Sequence, residues 1–403
     1  MNFHTETLKI LDAHGPLDRP AALLIEGCNF VDFPSGGCLS SAISMIRAFG
    51  TSLALVGYTT GTDPVGRWYR WSFEGSDLWR YNFARVNPLQ AKPLIPRRIS
   101  VACALFRHRA GVLELGCDAA FMRSPELYLA TSQWGWQHLA YEFPGVSNPL
   151  LHARYKWGRL FAGAYERVLF ERLSSASVIF AAADAVAIEG LIGRSGGRLA
   201  NVIRRPTTFD QRVFYPAEAK ETQAQRSTYV SVGRLNWVKG WDLVLAAFAQ
   251  VARKVRDAEL VFVGDGEDRP ALETAIDKAH LRDRVWITGN LDPRGVANEL
   301  RRSRVFVLGS WTEGWSTATV EAIACGLSVV TTNVSGSNFL VHCGVNGYIV
   351  PGRSPEGFAK AMLSSLELPV PNRTSIETSA RYGMERYVRD IGEWFPVLGG
   401  GRP

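Results

Sequence analysis

Between residues 228 and 350, short apolar runs at 229–232, 260–263, 285–288, 305–308, 328–332 and 348–350 alternate with segments long enough for a helix. Strands alternating with helices of about 10–20 residues predict a parallel sheet with helices on both faces. A sheet wound this way opens its ligand crevice at the turns that follow its strands. The residues on those turns are therefore where chemistry is sought.

The first half alternates in the same way, with strand candidates at 21–25, 52–57, 119–122, 139–142, 177–181 and 200–203 and a helical spacing over 39–49. At 403 residues the chain exceeds what one hydrophobic core supports, so two α/β domains of about 200 residues are expected. The alternation lapses over 206–216, and the polar stretch 217–227 reads as a linker. The expected division is 1–215 for the first domain, 216–372 for the second, and 373–403 for a C-terminal crossing helix and tail. Residues 355–365 predict a helix and 375–394 a long amphipathic stretch.

Composition narrows the class. With 46% hydrophobic and 21% charged residues this is ordinary globular material. No apolar run of about 18 residues occurs and the N-terminus lacks a signal-peptide pattern, so a cytoplasmic location is expected. The six cysteines stand singly, without C-x-x-C or histidine at ligand spacing, and read as reduced thiols with no metal site. Residues 1–215 hold 23 Lys+Arg against 17 Asp+Glu, whereas 216–403 hold 22 against 21. That basic first half suits an anionic membrane surface, giving a peripheral location on its inner face, better than nucleic acid, for which no motif is present.

Two turns carry the chemistry. In Val232-Gly-Arg-Leu-Asn-Trp-Val-Lys-Gly240, Arg234 offers a planar fork of donors and Lys239 a compact ammonium, both just after a strand. A surface ion pair is the alternative reading. In Glu313-Gly-Trp-Ser-Thr-Ala-Thr-Val-Glu321, Ser316 or Thr317 caps a helix that runs through Cys325 to Gly326, and its first amides favour an anion. Glu313 lies before that helix and Glu321 in its second turn. Carboxylates accept paired hydroxyl hydrogen bonds, so together these residues describe a pocket for a sugar joined to a diphosphate.

The ordered set 232–240, Val263-Gly-Asp-Gly266, Val285-Trp-Ile-Thr-Gly289, Glu313-x7-Glu321, Ala324-Cys-Gly326, Val329-Val-Thr331 and Gly344-Val-Asn-Gly-Tyr-Ile-Val350 resembles the donor domain of the retaining GT-B glycosyltransferases of family 4. The resemblance implies an α/β GT-B fold: two doubly wound Rossmann-like domains facing a cleft, with a C-terminal helix crossing back to the first. It implies transfer of a sugar from a nucleotide-diphosphate sugar to a hydroxyl acceptor with retention, in surface polysaccharide or glycolipid synthesis. By the same resemblance Arg234 and Lys239 meet the diphosphate and Glu321 the ribose. Glu313 meets the transferred sugar, beside the amides of Gly314, Trp315 and Ser316, and the base lies near Gly289 and Asn290. No metal or cofactor is implied. In the first half, Gly36 and Gly37 resemble the glycine loop that approaches the phosphates.

Two departures stand out. The histidine that many members carry at the end of the fifth strand is missing from Leu139-Ala-Tyr-Glu-Phe-Pro-Gly145, leaving Glu142, with Arg123, as acceptor-side candidates; a buried ion pair between these two is the alternative. The segments Arg67-Trp-Tyr-Arg-Trp71 and Trp79-Arg-Tyr81 read as a loop packing on the first sheet or as a sugar or membrane contact, and 97–109 as a core helix or a surface anchor. A lipid-linked saccharide acceptor is expected. The rival functions are a nucleotide-sugar epimerase on the same fold, for which no in-cleft acid/base pair is visible, and a donor-binding scaffold without catalysis.

Overall fold

A computed structural model of the chain describes residues 19–34, 37–89, 95–151, 156–199, 201–217 and 228–399. The chain forms two compact units, one of Met1–Arg205 with Tyr387–Pro403 and the other of Pro206–Arg386. The architecture is two Rossmann-like α/β units, the GT-B fold.

The first unit holds an eight-stranded sheet of β1 (Ala22–Ile25), β2 (Leu53–Thr59), β3 (Trp68–Phe73), β4 (Ser76–Arg85), β5 (Ala119–Met122), β6 (His138–Phe143), β7 (Val178–Ala181) and β8 (Val202–Arg204), in the order β3-β4-β2-β1-β5-β6-β7-β8. Its inner strands β1, β5 and β7 are buried along their whole length, as a sheet covered on both faces requires. Each of their larger apolar side chains contributes about 1.5–3 kcal/mol relative to exposure.

The loop expected around Arg67 and Trp79 is instead a hairpin, with β3 and β4 antiparallel from Trp68↔Tyr81 to Phe73↔Ser76. Its two turn residues, Glu74 at φ 48° and Gly75 at φ 83°, both take the left-handed conformation that tight hairpins need. The surface contact envisaged for Trp79 and Tyr81 does not arise, because both side chains are buried in the first core. Residues 97–107 form a helix that buries Val101 and Leu105 and turns its opposite side to solvent.

The second unit carries β9 (Thr228–Val232), β10 (Glu259–Val263), β11 (Val285–Ile287), β12 (Val305–Leu308), β13 (Ser328–Thr332) and β14 (Gly347–Val350), all parallel, in the order β11-β10-β9-β12-β13-β14. The winding reverses at β9, so the switch point lies between β9 and β12. These two strands pair only at Tyr229↔Val305 and Val230↔Phe306 and then part, while β9 and β10 stay paired to Val232↔Val263.

The amphipathic stretch expected over 375–394 is broken. Asn372 caps a helix Arg373–Ser379, a 3-10 turn follows, and a new helix spans Met384–Trp394. Gly383 makes the break: it bridges to Phe209, and a Cβ there would meet the Gln211 amide at 1.9 Å. Within the last helix the chain returns to the first unit at Tyr387, and Tyr387 and Ile391 are buried.

Gly240, at φ 64°, follows β9 so closely against Gly309 after β12 that an added Cβ would lie 1.8 Å from the Gly309 carbonyl oxygen. Gly344 has a comparable φ of 77° but open space around it. Gly240→Ala is expected to cost about 3 kcal/mol or more and Gly344→Ala about 1 kcal/mol, measured as shifts in urea-unfolding midpoint.

Candidate functional site

The loops at the ligand edge of the second unit are stacked backbone on backbone. Gly233 N–H donates to Val263 O, Leu235 N–H to Asp265 O, and Gly264 N–H to Gly289 O. A Cβ on Gly264 would meet the Gly233 oxygen at 2.1 Å, and one on Gly266 the Leu235 oxygen at 2.2 Å. Gly264 and Gly266 are therefore required by loop-to-loop packing. Gly289 is buried in this stack at the end of β11 and Asn290 beside it is exposed.

The Asn236 side chain caps a one-turn 3-10 helix, Trp237–Lys239, by accepting from the Lys239 N–H. That turn sends Lys239 across the switch point, where its Nζ lies 2.7 Å from Glu313 Oε1. Ser310 Oγ donates to the same oxygen at 2.6 Å, and the Ser310 carbonyl accepts from Thr332 Oγ1 at 2.7 Å. Lys239 is 34% and Glu313 10% exposed, so the ammonium end of the pair meets solvent while the carboxylate is largely enclosed. The pair's importance is positional: an ammonium and a carboxylate from the two parting strands are held together at the crevice.

Arg234 stands on the same turn but does not join them. Its Nε is 3.0 Å from Glu267 Oε2, with both side chains about half exposed, which is the surface ion pair of the alternative reading. So weak a pair leaves the guanidinium available to a stronger anion.

Ser316 caps the helix Thr317–Ala324 by accepting from Thr319 N–H at 3.2 Å. Gly326, at φ 82°, ends it. Gly314 is partly buried between Glu313 and Trp315. The Trp315 indole is buried against Gly336, Phe339 and Tyr382, so this side chain packs the loop.

Glu321 differs from the other carboxylates of the site. Among the described residues its side chain has no hydrogen-bonding or ion-pair partner. Part of its surface stays open, yet protein crowds the carboxyl closely enough for burial to push it up to about 8. A desolvated carboxyl without a partner is costly.

In the first unit Gly36 lies outside the described residues. Gly37 heads the helix Gly37–Phe49, and a Cβ there would meet nothing within 4 Å, so packing does not demand glycine. Its carbonyl accepts from Arg123 at 3.3 Å. Arg123 and Glu142 form the buried ion pair of the alternative reading, at 3.3 Å, and Arg205 closes on the same Glu142 carboxylate. The Arg205 guanidinium lies over the Tyr387 ring at 4.4 Å. All of these side chains are nearly inaccessible, so Arg123 and Arg205 are both committed to Glu142.

Ser310, Arg205 and Glu26 escaped the sequence reading. Glu26, 1% exposed, closes β1 and accepts from Ser124 Oγ at 3.2 Å through one oxygen, while the other has no partner. Burial outweighs the attraction of Arg123 and raises its pKa from 4.5 to about 7. An acid breaking the apolar run 21–25 at its end was the available signal. Among the described residues no group of three His, Cys, Asp or Glu side chains is placed to hold a metal, and all six cysteines are free.

Because folded Glu26 holds its proton more tightly than the unfolded chain, its contribution to stability falls as pH rises from about 4.5 through about 7. Glu26→Gln is therefore expected to match the wild type near pH 4.5 and to exceed it by up to roughly 3 kcal/mol above pH 7. Urea unfolding as a function of pH measures this; a constant difference across the range would exclude a titrating Glu26.

Residues 217–382 match the family described as Glycosyl transferases group 1. A phosphatidylinositol N-acetylglucosaminyltransferase subunit of Arabidopsis thaliana is 33% identical over 148 residues, covering 37% of this chain; the match spans only 33% of that relative's length. Among solved structures, sucrose-phosphate synthase from Thermosynechococcus elongatus superposes with a TM-score of 0.74 at 19% identity, over 94% of this chain and 99% of that one. Anabaena HepE in complex with UDP and glucose gives 0.72 at 16% identity over the same shares.

Proposed function

We propose, for a chain that belongs through residues 217–382 to the Glycosyl transferases group 1 family, that it transfers a sugar from a nucleotide-diphosphate sugar to a hydroxyl acceptor with retention at the anomeric carbon. The observation that carries this reading is the meeting of Lys239, Ser310 and Glu313 at the switch point, with the unpartnered Glu321 on the helix that follows. On this reading the second unit, Pro206–Arg386, is the donor side and the first unit the acceptor side.

Lys239 and Arg234 match the diphosphate, whose charge grows as the sugar leaves. Neither side chain is buried or strongly committed, so both meet that charge at little cost. Glu313, with Oε1 fixed by Lys239 and Ser310, turns its other oxygen to hydroxyls of the transferred sugar. Gly314, Trp315 and Ser316 contribute backbone amides beside it. Glu321 accepts from the ribose hydroxyls, and the base lies against Gly289 and Asn290. The UDP bound in the HepE structure makes a uridine diphosphate hexose the first donor to test.

Arg234→Ala is expected to weaken UDP binding by about 10- to 100-fold in calorimetry, the value of one or two charged hydrogen bonds. Near pH 7 free Glu321 holds its proton. Accepting from ribose hydroxyls favours the carboxylate, so UDP binding at pH 7 should release a proton. The binding enthalpy will then depend on the buffer, and Glu321→Gln will remove that dependence. Buffer-independent binding in the wild type would remove Glu321 from the ribose.

The acceptor is proposed to be a saccharide, lipid-linked where the reaction builds a glycolipid. Ile99, Phe106, Leu160 and Val168 of the first unit are 45–85% exposed, with Arg98, Arg107, Arg159 and Arg167 exposed nearby in the chain, a combination suited to anionic lipid. Among the described residues no helix is long and apolar enough to cross a membrane. Phosphatidylglycerol vesicles should carry the protein upward in flotation while phosphatidylcholine vesicles do not, and Phe106→Ser/Leu160→Ser should abolish the difference. Equal flotation with both lipids, or none, would contradict the membrane contact.

A further inference from the structure

Beside the charged groups, the ligand edge of the second unit presents two indoles that donor chemistry does not use. Trp237, on the turn after β9, is 50% exposed, and Trp311, on the turn after β12, is 54% exposed. Their ring centroids are 6.3 Å apart with the planes inclined at 59°. The backbone N–H of Trp311 donates to the Val238 carbonyl at 2.8 Å, so the two turns are tied directly beneath the rings. The Arg353 guanidinium lies 3.9 Å from the Trp311 ring centre and is itself held by the Gly309 carbonyl and by Asp242 at 3.4 Å.

Each tryptophan stands two residues before a residue of the site, Trp237 before Lys239 and Trp311 before Glu313. Tyr229, Phe248 and Trp315 of the same unit are buried; of its other exposed rings, Tyr215, Trp286 and Phe339, none is on the turns after β9 and β12. Leaving two indoles half in water forfeits burial energy that an internal position would recover. Arg353 braces Trp311, so little side-chain freedom remains to be lost when a ligand arrives.

We infer that Trp237 and Trp311 form a platform for a pyranose ring of the acceptor, an inference that rests on the donor reading of the neighbouring site. A pyranose has flat C–H faces and a rim of hydroxyls. Indole faces suit the former, and the charged Arg353 and the indole N–H groups suit the latter. The other parts of the donor fit less well. A diphosphate has no apolar face, and the base position at Gly289 lies off β11, on the side of β9 away from β12. The transferred sugar is taken by Glu313, which leaves a second ring for the platform.

Saturation-transfer NMR with the methyl glycosides of glucose, galactose, mannose and N-acetylglucosamine, in the presence of UDP, tests this. At least one glycoside should receive saturation on its ring C–H protons. The effect should fall about tenfold in Trp237→Ala/Trp311→Ala and persist in Trp237→Tyr/Trp311→Tyr, which keep flat faces. It should also survive Glu313→Gln. A signal retained by the alanine pair, or one lost with Glu313→Gln while the alanine pair keeps it, belongs to another pocket and overturns the platform. A protein that binds UDP but none of the glycosides overturns it as well. Failure to bind UDP at all contradicts the donor reading instead.

Discussion

Everything at the candidate site depends on two strands that begin as neighbours and then separate. β9 and β12 share two residue pairs and diverge, because the chain winds to one side of the sheet before β12 and to the other side after it. The turns that leave the two strands are drawn together again at one point, where Gly240 and Gly309 touch backbone to backbone. No side chain fits between them. The contact brings Lys239 and Glu313 within 2.7 Å and sets Trp237 beside Trp311.

The two units use charge in opposite ways. In the first, Arg123, Glu142 and Arg205 are sealed from water, so removing one partner would strand a buried ion at a cost of about 3–5 kcal/mol. Such a cluster fixes the strand ends that carry it. In the second, Lys239 and Arg234 keep 34% and 58% of their side-chain surface, and the exposed Arg234–Glu267 pair contributes little to folding. Only groups so loosely committed can be redirected to a ligand without a large penalty. Glu321 completes the contrast: it is crowded like a core residue but lacks a partner among the described residues.

What was legible in the sequence follows from how local each feature is. The strands of the second unit, the Ser316 cap and the Gly326 stop were readable because each depends on neighbours a few residues away. Of Arg234, Lys239, Glu313 and Glu321, only Lys239 and Glu313, on the turns after β9 and β12, are joined directly; Arg234 pairs with Glu267, and Glu321 lies in the helix Thr317–Ala324. The hairpin 68–85 was missed because its Glu74-Gly75 turn lies among aromatic and basic residues that also suit a surface loop. Arg205 and Glu26 were invisible because their partners sit on strands far away in the chain; Glu142 meets Arg205 across 63 positions. Arg123 and Glu142 form the ion pair of the alternative reading, and only burial separates such a pair from an acceptor contact. The break at Gly383 depends on Phe209 and Gln211, which no periodicity in 375–394 could reveal.

In the proposed reaction the β9–β12 crevice holds a nucleotide sugar, whose sugar is transferred without inversion. The most direct measurement is the anomeric configuration of the product formed from α-linked uridine diphosphate hexoses labelled with carbon-13 at the anomeric carbon, read from the one-bond carbon–proton coupling. An α-linked glycoside is expected, formed by the wild type and not by Lys239→Met. A β-linked product, or release of free or epimerised hexose with no glycoside formed, would contradict it.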